Sequence, residues 1–304
     1  MISRFLNALR LRIIMGEKDI AEKHLEDLND VFADIVNVLL FNGLRLMNEN
    51  ELEVDVKDSQ FKSDGNLHEQ ERDVSKLWKN GKVRISIIGF ENQTVQDYKM
   101  PLRIISYDGA SYKKQLLDED LHKYYPVVTM VLYFGYKERW TAPKNLYSCF
   151  NVSEELKTFV NDYKINVFEI AWLDEKTINM FQSDFKFIAQ YFRAKRLNND
   201  YVPTPEEVKH ADELTKMFTA LTGDKYFEKA YNETRLIKQG GITMCDIVQG
   251  FVQEGRIEGR EQGKADIIRK MLDAKLVSEQ QIADLLKITV EEVKKIAAKV
   301  PVQA

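Results

Sequence analysis

The amino-acid sequence predicts an α/β domain followed by a helical C-terminal appendage, and three observations carry that prediction. A helix-period stretch from Asp19 to about Met47 precedes three short strand-type segments, two of them joined by an Asn80-Gly81 turn signal. A wholly apolar run, Tyr125 to Phe134, follows a segment that proline opens as a helix. Gly240-Gly241 then breaks the chain before a part with a different pattern. The order that results is helix, three strands, helix, strand, a mixed sheet with helices on its faces.

In the first helix Leu25, Leu28, Phe32, Ile35, Val36, Leu39 and Leu40 recur at helical spacing. Strands are expected at Leu52 to Val56, Glu71 to Lys79 and Lys82 to Phe90, each short and rich in strand-forming residues. Met100-Pro101 opens the second helix, with Leu102, Ile105, Tyr112 and Leu116 as its apolar side. Tyr125 to Phe134 is too apolar for an exposed strand and suits the middle of a sheet. A further strand at Ile165 to Leu173 and helices at Thr177 to Arg196, Pro205 to Thr222 and Lys225 to Lys238 complete the domain.

After the glycine pair, Gly250, Gly255, Gly259 and Gly263 are interleaved with Glu254, Arg256, Glu258, Arg260 and Glu261. Those charges exclude a bilayer, and a weak helical linker is expected. Ser278-Glu-Gln-Gln281 and Thr289-Val-Glu-Glu292 are two capping boxes opening two short helices, a pair that resembles a helix-turn-helix. The organisation read from the chain is thus residues 1–18 as an extension, 19–239 as the main domain and 240–304 as the helical region.

A chain of 304 residues, 44% hydrophobic, buries a substantial core, and its net charge of −4 places any nucleic-acid contact in local patches. Cys149 and Cys245 lie far apart without histidine neighbours, which excludes a zinc or disulfide framework and fits a reducing cytoplasm. Arg10 and Arg12 interrupt the apolar N-terminus, no cleavage site follows, and no segment is long enough to span a membrane, so neither secretion nor insertion is expected. His24, His68, His122 and His210 are scattered without ligand spacing and receive no role.

Chemistry is concentrated around the hairpin. Strand alternation sends Val83, Ile85, Ile87, Gly89, Glu91 and Gln93 to one face, so Glu91 continues an apolar row. A carboxylate at the rim of a core needs a partner, and with Asp73 on the preceding strand it offers the hard oxygens that a divalent cation accepts. A two-residue Asn80-Gly81 turn pairs Asp73 with Ile88, on the opposite face and about 10 Å short of Glu91. Either a longer turn or a bulge within Lys76 to Gly89 is required, with Glu71 and Glu69 as substitutes for Asp73.

Glu91-Asn-Gln93-Thr, followed by Met100-Pro-Leu-Arg103-Ile-Ile-Ser-Tyr107, resembles the signature of the Rpn family of recombination-promoting nucleases, a group also described as transposases. Asn29-Asp30-Val-Phe-Ala-Asp34 and Tyr125 to Gly135 sit where that family has an acidic first helix and a long apolar strand. The resemblance implies a PD-(D/E)XK-like αβββαβ core and Mg²⁺-dependent cleavage of DNA phosphodiesters, with Mn²⁺ an alternative ion. It implies Asp73, Glu91 and the Asn92 carbonyl as metal ligands, and Asp73, Glu91 and Gln93 as catalytic residues. Gln93 stands where the superfamily has lysine; its amide can hold water or a phosphate oxygen but cannot act as a base.

Asp30 and Asp34 at i and i+4 repel unless a cation or basic partner compensates, and the resemblance implies Asp30 as the helix acid, a secondary candidate. Arg103 and Tyr107 share a helix face suited to holding a phosphate. DNA is the expected partner, with self-association through the C-terminal helices. The alternative is a catalytically silent nuclease fold serving as a DNA-binding or protein-interaction module.

Overall fold

The computed structural model describes residues 25–54, 60–63, 66–69, 74–80, 82–89, 96–118, 123–223, 225–238, 240–249, 265–272, 277–287 and 289–298. The chain divides into two compact units, Met1–Cys245 and Asp246–Ala304. Residues 1–18 and the glycines at 250, 255, 259 and 263 lie outside the described residues.

The first unit is mixed α/β, built on a five-stranded sheet. Its helix α1 spans Asn29–Leu39, shorter than the expected Asp19 to Met47. The helix starts there because Leu28 is extended and Lys76 Nζ takes the Asp27 carbonyl at 2.6 Å and Asn29 Oδ1 at 2.6 Å. That carbonyl is therefore committed to a side chain and not to a helical N–H. The turn after α1 places Asn42 and Gly43 at positive φ, where a helix cannot continue.

Strands β1 (Leu52–Val54), β4 (Val74–Trp78) and β5 (Val83–Gly89) form an antiparallel meander. Between β1 and β4 lies a hairpin that the sequence pattern did not announce, β2 (Gln60–Ser63) with β3 (Asn66–Glu69), forming a separate two-stranded sheet. Helix α2 (Met100–Leu117) crosses over to β6 (Val127–Tyr133), which is parallel to β5, and β7 (Asn166–Glu169) is parallel to β6. The sheet order is β1-β4-β5-β6-β7.

The β4–β5 ladder runs from Val74↔Ile87 to Trp78↔Val83 with one partner for each residue. It is the register of a two-residue turn. The bulge or longer turn expected from the chemistry is absent from these described pairs, because the Asn80 signal closes the hairpin tightly.

Each sheet face is covered by helix. Val74, Lys76, Ile85 and Ile87 share one face, where Lys76 Nζ lies 5.8 Å from the Phe32 ring of α1. Phe134, just after β6, packs on Phe185 and Phe192 of α3 (Phe185–Arg196). The other face meets α2, where Met100, Ile104 and Tyr107 join Val131, Tyr133 and Trp140.

The buried face of α2 is not the one expected. Leu102, Tyr112 and Leu116 are exposed, whereas Ile104, Tyr107, Asp108, Ser111 and Gln115 are buried. The polar members are tied down: Thr129 Oγ1 donates to Asp108 at 2.6 Å, Tyr163 OH donates to the same carboxylate, and Gln115 exchanges two bonds with the Tyr125 backbone. A pattern that scores only apolar residues therefore selects the wrong stripe.

Two later helices also differ from expectation. Thr177 to Arg196 is broken into the one-turn helix Glu175–Ile178 and α3, because Asp34 Oδ2 accepts from the Gln182 and Ser183 N–H groups at 2.8 and 2.7 Å. Helix α4 begins at Ala211 and not at Pro205, since Val208 N–H bonds Ile242 and the Lys209 and His210 N–H groups bond Asp184. It ends at Thr222, capped by Gly223 at φ +74, and packs on α5 (Tyr226–Ile237) through stacked Phe218 and Phe227 rings 4.6 Å apart.

In the second unit α6 (Glu279–Leu286) and α7 (Val290–Ala298) enclose Ile268, Ile282, Ala283 and Val293. Both expected capping boxes are present. Ser278 and Gln281 cap each other's backbone, and Thr289 and Glu292 do the same. No helix among the described residues is long and apolar enough to cross a membrane.

Candidate functional site

Gly89, Leu132 and Phe168 stand side by side near the C-terminal ends of the parallel strands β5, β6 and β7. Glu91, Asn92 and Gln93 follow this edge in sequence, and Asp73 immediately precedes β4; all four lie outside the described residues. Both flanks of residues 90–95 are anchored. Gly89 is fixed in the β6 ladder, and the Gln96 side chain accepts from the Thr141 and Ala142 N–H groups and donates to the Arg139 carbonyl at 2.9 Å.

The start of α1 gathers acids on the sheet face that carries Lys76 and Ile85. Glu26, helical and just before the turn that precedes α1, is fully buried. His210 Nε2 donates to Asp30 at 2.9 Å to Oδ2 and 3.1 Å to Oδ1. Asp34, 5% exposed, accepts from Gln182 and Ser183 N–H and pairs with Arg45, which also donates to the Met180 carbonyl. The repulsion expected between Asp30 and Asp34 is thus offset by an imidazole, a guanidinium and two backbone dipoles.

Asp184 belongs to the same neighbourhood. Burial pushes its carboxyl above the ordinary value, opposed by the backbone N–H groups of His210 and Lys209. Asp30, Asp34, Arg45, Gln182 and Lys209 line a cleft of about 250 Å³ with a mostly polar wall. These acids are already bonded to protein donors, and among the described residues no group of three or more His, Cys, Asp or Glu is arranged to hold a metal ion.

Arg103 and Tyr107 lie on one face of α2 as the spacing requires. Arg103 pairs with Asp97 at 3.0 Å, its Nη2 is 3.4 Å from Tyr107 OH, and its guanidinium sits 6.0 Å from the ring. Tyr107 is buried in the core under it. The arginine is half exposed, so its head remains open to solvent on the Asp97 side.

With this geometry in hand, residues 52–205, just over half of the chain, match the model of a family described as "Putative transposase, YhgA-like". The chain belongs to that family. The YhgA-like match covers β1 through the loop after α3 and bears out the resemblance read from Glu91 to Tyr107. No curated protein and no solved structure matches the chain.

Two residues outside the matched range, His210 and Glu26, complete the acid cluster. His210 has no ligand spacing in the sequence, yet it holds Asp30 across 180 residues of chain. Only the fold reveals such a partner. Glu26 was legible in part, as an acid beside Leu25 in the apolar stripe of the first helix.

Proposed function

We propose that the protein is a metal-dependent DNA endonuclease with a PD-(D/E)XK-like core, working in recombination or mobile-element chemistry. The observation that carries this reading is the order of elements around β5 within a transposase-type family: antiparallel β1, β4 and β5, crossover α2, then parallel β6. In that order Glu91 follows the C-terminal end of β5, and the Val83, Ile85 and Ile87 row leading to it shares a sheet face with Lys76, which binds the start of α1.

Asp73, Glu91 and the Asn92 carbonyl would hold Mg²⁺, or Mn²⁺. The ion supplies a lowered water pKa and neutralises charge on the phosphate. Gln93 orients the attacking water or a phosphate oxygen, and Arg103 presents a guanidinium to the strand leaving the site. Glu26 and Asp30 supply the negative field of α1. The C-terminal helices serve self-association, and the free thiols Cys149 and Cys245 suit a reducing cytoplasm.

A second reading, a silent nuclease fold used as a DNA-binding module, is favoured by the uninterrupted β4–β5 register. Nicking of supercoiled plasmid by the full chain separates the two. Mg²⁺-dependent nicking that disappears in Glu91→Ala and Asp73→Ala and survives in Gln93→Lys supports the enzyme. No nicking beside intact DNA binding supports the silent fold, and nicking that needs no metal or survives Glu91→Ala and Asp73→Ala removes the proposed site.

A further inference from the structure

We propose that the Arg139, Trp172 and Arg196 cluster, extended by Lys195 on Tyr136, is the surface that grips the DNA backbone beside the cutting edge. The inference rests on the nuclease reading for its ligand, and its residues are separate from those assigned to catalysis.

The cluster lies beside the C-terminal edge of the parallel strands. β7 ends at Glu169, level with Tyr133 of β6, and leads into the short turn Ile170–Trp172. Gly89, where β5 ends, is two strands away in the same row, a separation of roughly 10 Å at about 4.8 Å per strand. The loop carrying Arg139 is the one that Gln96 ties to the far flank of residues 90–95. A duplex cut at the end of β5 must pass over one side of this edge, and the β7 side carries the cations.

Those cations are held on aromatic faces. The Arg139 and Arg196 guanidiniums lie 4.6 and 4.8 Å from the Trp172 ring centroid. Trp172 is itself fixed by Nε1–H donated to the Gly135 carbonyl at 3.1 Å. Arg196 donates Nε to the Ala171 carbonyl at 2.7 Å, which is the one hydrogen bond of its guanidinium among the described residues. Lys195 Nζ sits 5.3 Å from both the Tyr136 and Tyr191 rings.

Charges set on rings keep their donor edges available while the side chains lose little further freedom on binding, which is what a planar phosphate clamp requires. A cation meant only to stabilise the fold would be neutralised by a carboxylate. Among the described residues Arg196 and Lys195 have no carboxylate ion pair, whereas Arg139 shares Glu169 with Lys144, at 3.7 and 3.6 Å, and Arg193 pairs with Glu175 at 3.5 Å.

The geometry also sets the kind of contact. The Trp172 ring is already covered by two guanidiniums, so it is a platform for cations and not for bases. Recognition here is of phosphate, independent of sequence and sensitive to salt.

The test is fluorescence anisotropy of a labelled 25-base-pair duplex with the full chain in EDTA, repeated over a range of NaCl. Arg139 is 61% exposed, so Arg139→Ala leaves the fold intact. It should weaken binding about three- to tenfold at 100 mM salt and lower the salt slope by about 0.9, the value for one phosphate that is no longer neutralised. Adding Lys195→Ala should deepen both changes, while Lys216→Ala on α4 should change neither. Unchanged affinity and slope in the double variant, no binding by the unaltered chain, or displacement of duplex by polyglutamate as readily as by unlabelled duplex would each overturn the proposal. Glu91→Ala tells this failure from failure of the nuclease reading: it should abolish cutting and keep affinity. Binding that falls with Arg139→Ala in a chain that cuts nothing upholds the surface and removes the enzyme.

Discussion

The acids at the start of α1 and the cations at the end of β7 are two charged neighbourhoods of the first unit, and they are held in different ways. Asp34 and Asp184 are spent on backbone N–H groups and Arg45, and Asp30 on His210, joining α1 to the loop before α3 and to the chain entering α4. Arg139, Arg196 and Lys195 rest on rings, and of the three only Arg139 also has a carboxylate partner among the described residues, Glu169 at 3.7 Å. Charge matched by buried hydrogen bonds works for the fold, whereas charge held on an aromatic face stays available to a ligand. Charge density alone would not separate the two regions; what each charge touches does.

The sharpest way to break that contrast is to remove one charge from each side. Asp34→Ala leaves the buried Ser183 N–H, the partly buried Gln182 N–H and the partly exposed Arg45 without their acceptor and should cost about 2–4 kcal/mol. Arg139→Ala, at an exposed position, should stay within about 0.5 kcal/mol. Urea unfolding of both variants checks this. Equal losses would mean that the β7 cations are also structural.

Lys76 tests the same idea with the opposite sign of charge. It is 1% exposed and bonded to Asp27 and Asn29, so Lys76→Met should destabilise by about 2–3 kcal/mol through the acceptors it abandons. A neutral or stabilising outcome in urea would show that the desolvation of the ammonium outweighs its bonds.

Trp172→Phe probes the ring side. Phenylalanine keeps a face for the guanidiniums, weaker than indole, and loses the bond to Gly135. Duplex affinity should fall about two- to threefold with stability lowered by about 1 kcal/mol. Affinity that does not move while stability falls would make Trp172 a packing residue only.

How far these regions were legible in the sequence depends on the range of their contacts. The Asn80-Gly81 turn, the buried strand at β6 and the two capping boxes are local, and each was readable from a few neighbouring residues. Where helices end was not. Asp34 breaks the helix at Gln182 and Ser183 from 148 and 149 residues away, and Asp184 delays α4 by holding Lys209 and His210. The buried face of α2 was misread because Asp108 and Gln115 are buried by bonds to Thr129, Tyr163 and Tyr125, partners that periodicity cannot supply. Of the candidate site, the basic run Arg193, Lys195 and Arg196 could be seen in the sequence, but Trp172 and Arg139, which give it meaning, lie in other loops.

The smallest expected effect concerns the pH dependence of the acid side, at Asp184. Its carboxyl is raised by burial, against the pull of the His210 and Lys209 N–H groups, with the Asp30 charge adding to the rise. The folded state therefore holds this proton more tightly than the unfolded chain, whose aspartate titrates near about 3.9. Stability from that proton is complete below the unfolded value and is lost as pH rises through the folded value. In Asp184→Asn the amide oxygen keeps one acceptor and carries no titration. The stability of the unaltered protein minus that of Asp184→Asn, measured by urea unfolding, should thus fall as pH rises from about 4 to about 7, with two backbone dipoles opposing the desolvation. A difference that grows with pH would mean that the Lys209 and His210 bonds dominate burial, making Asp184 a second Asp34 and the whole acid side uniform in character.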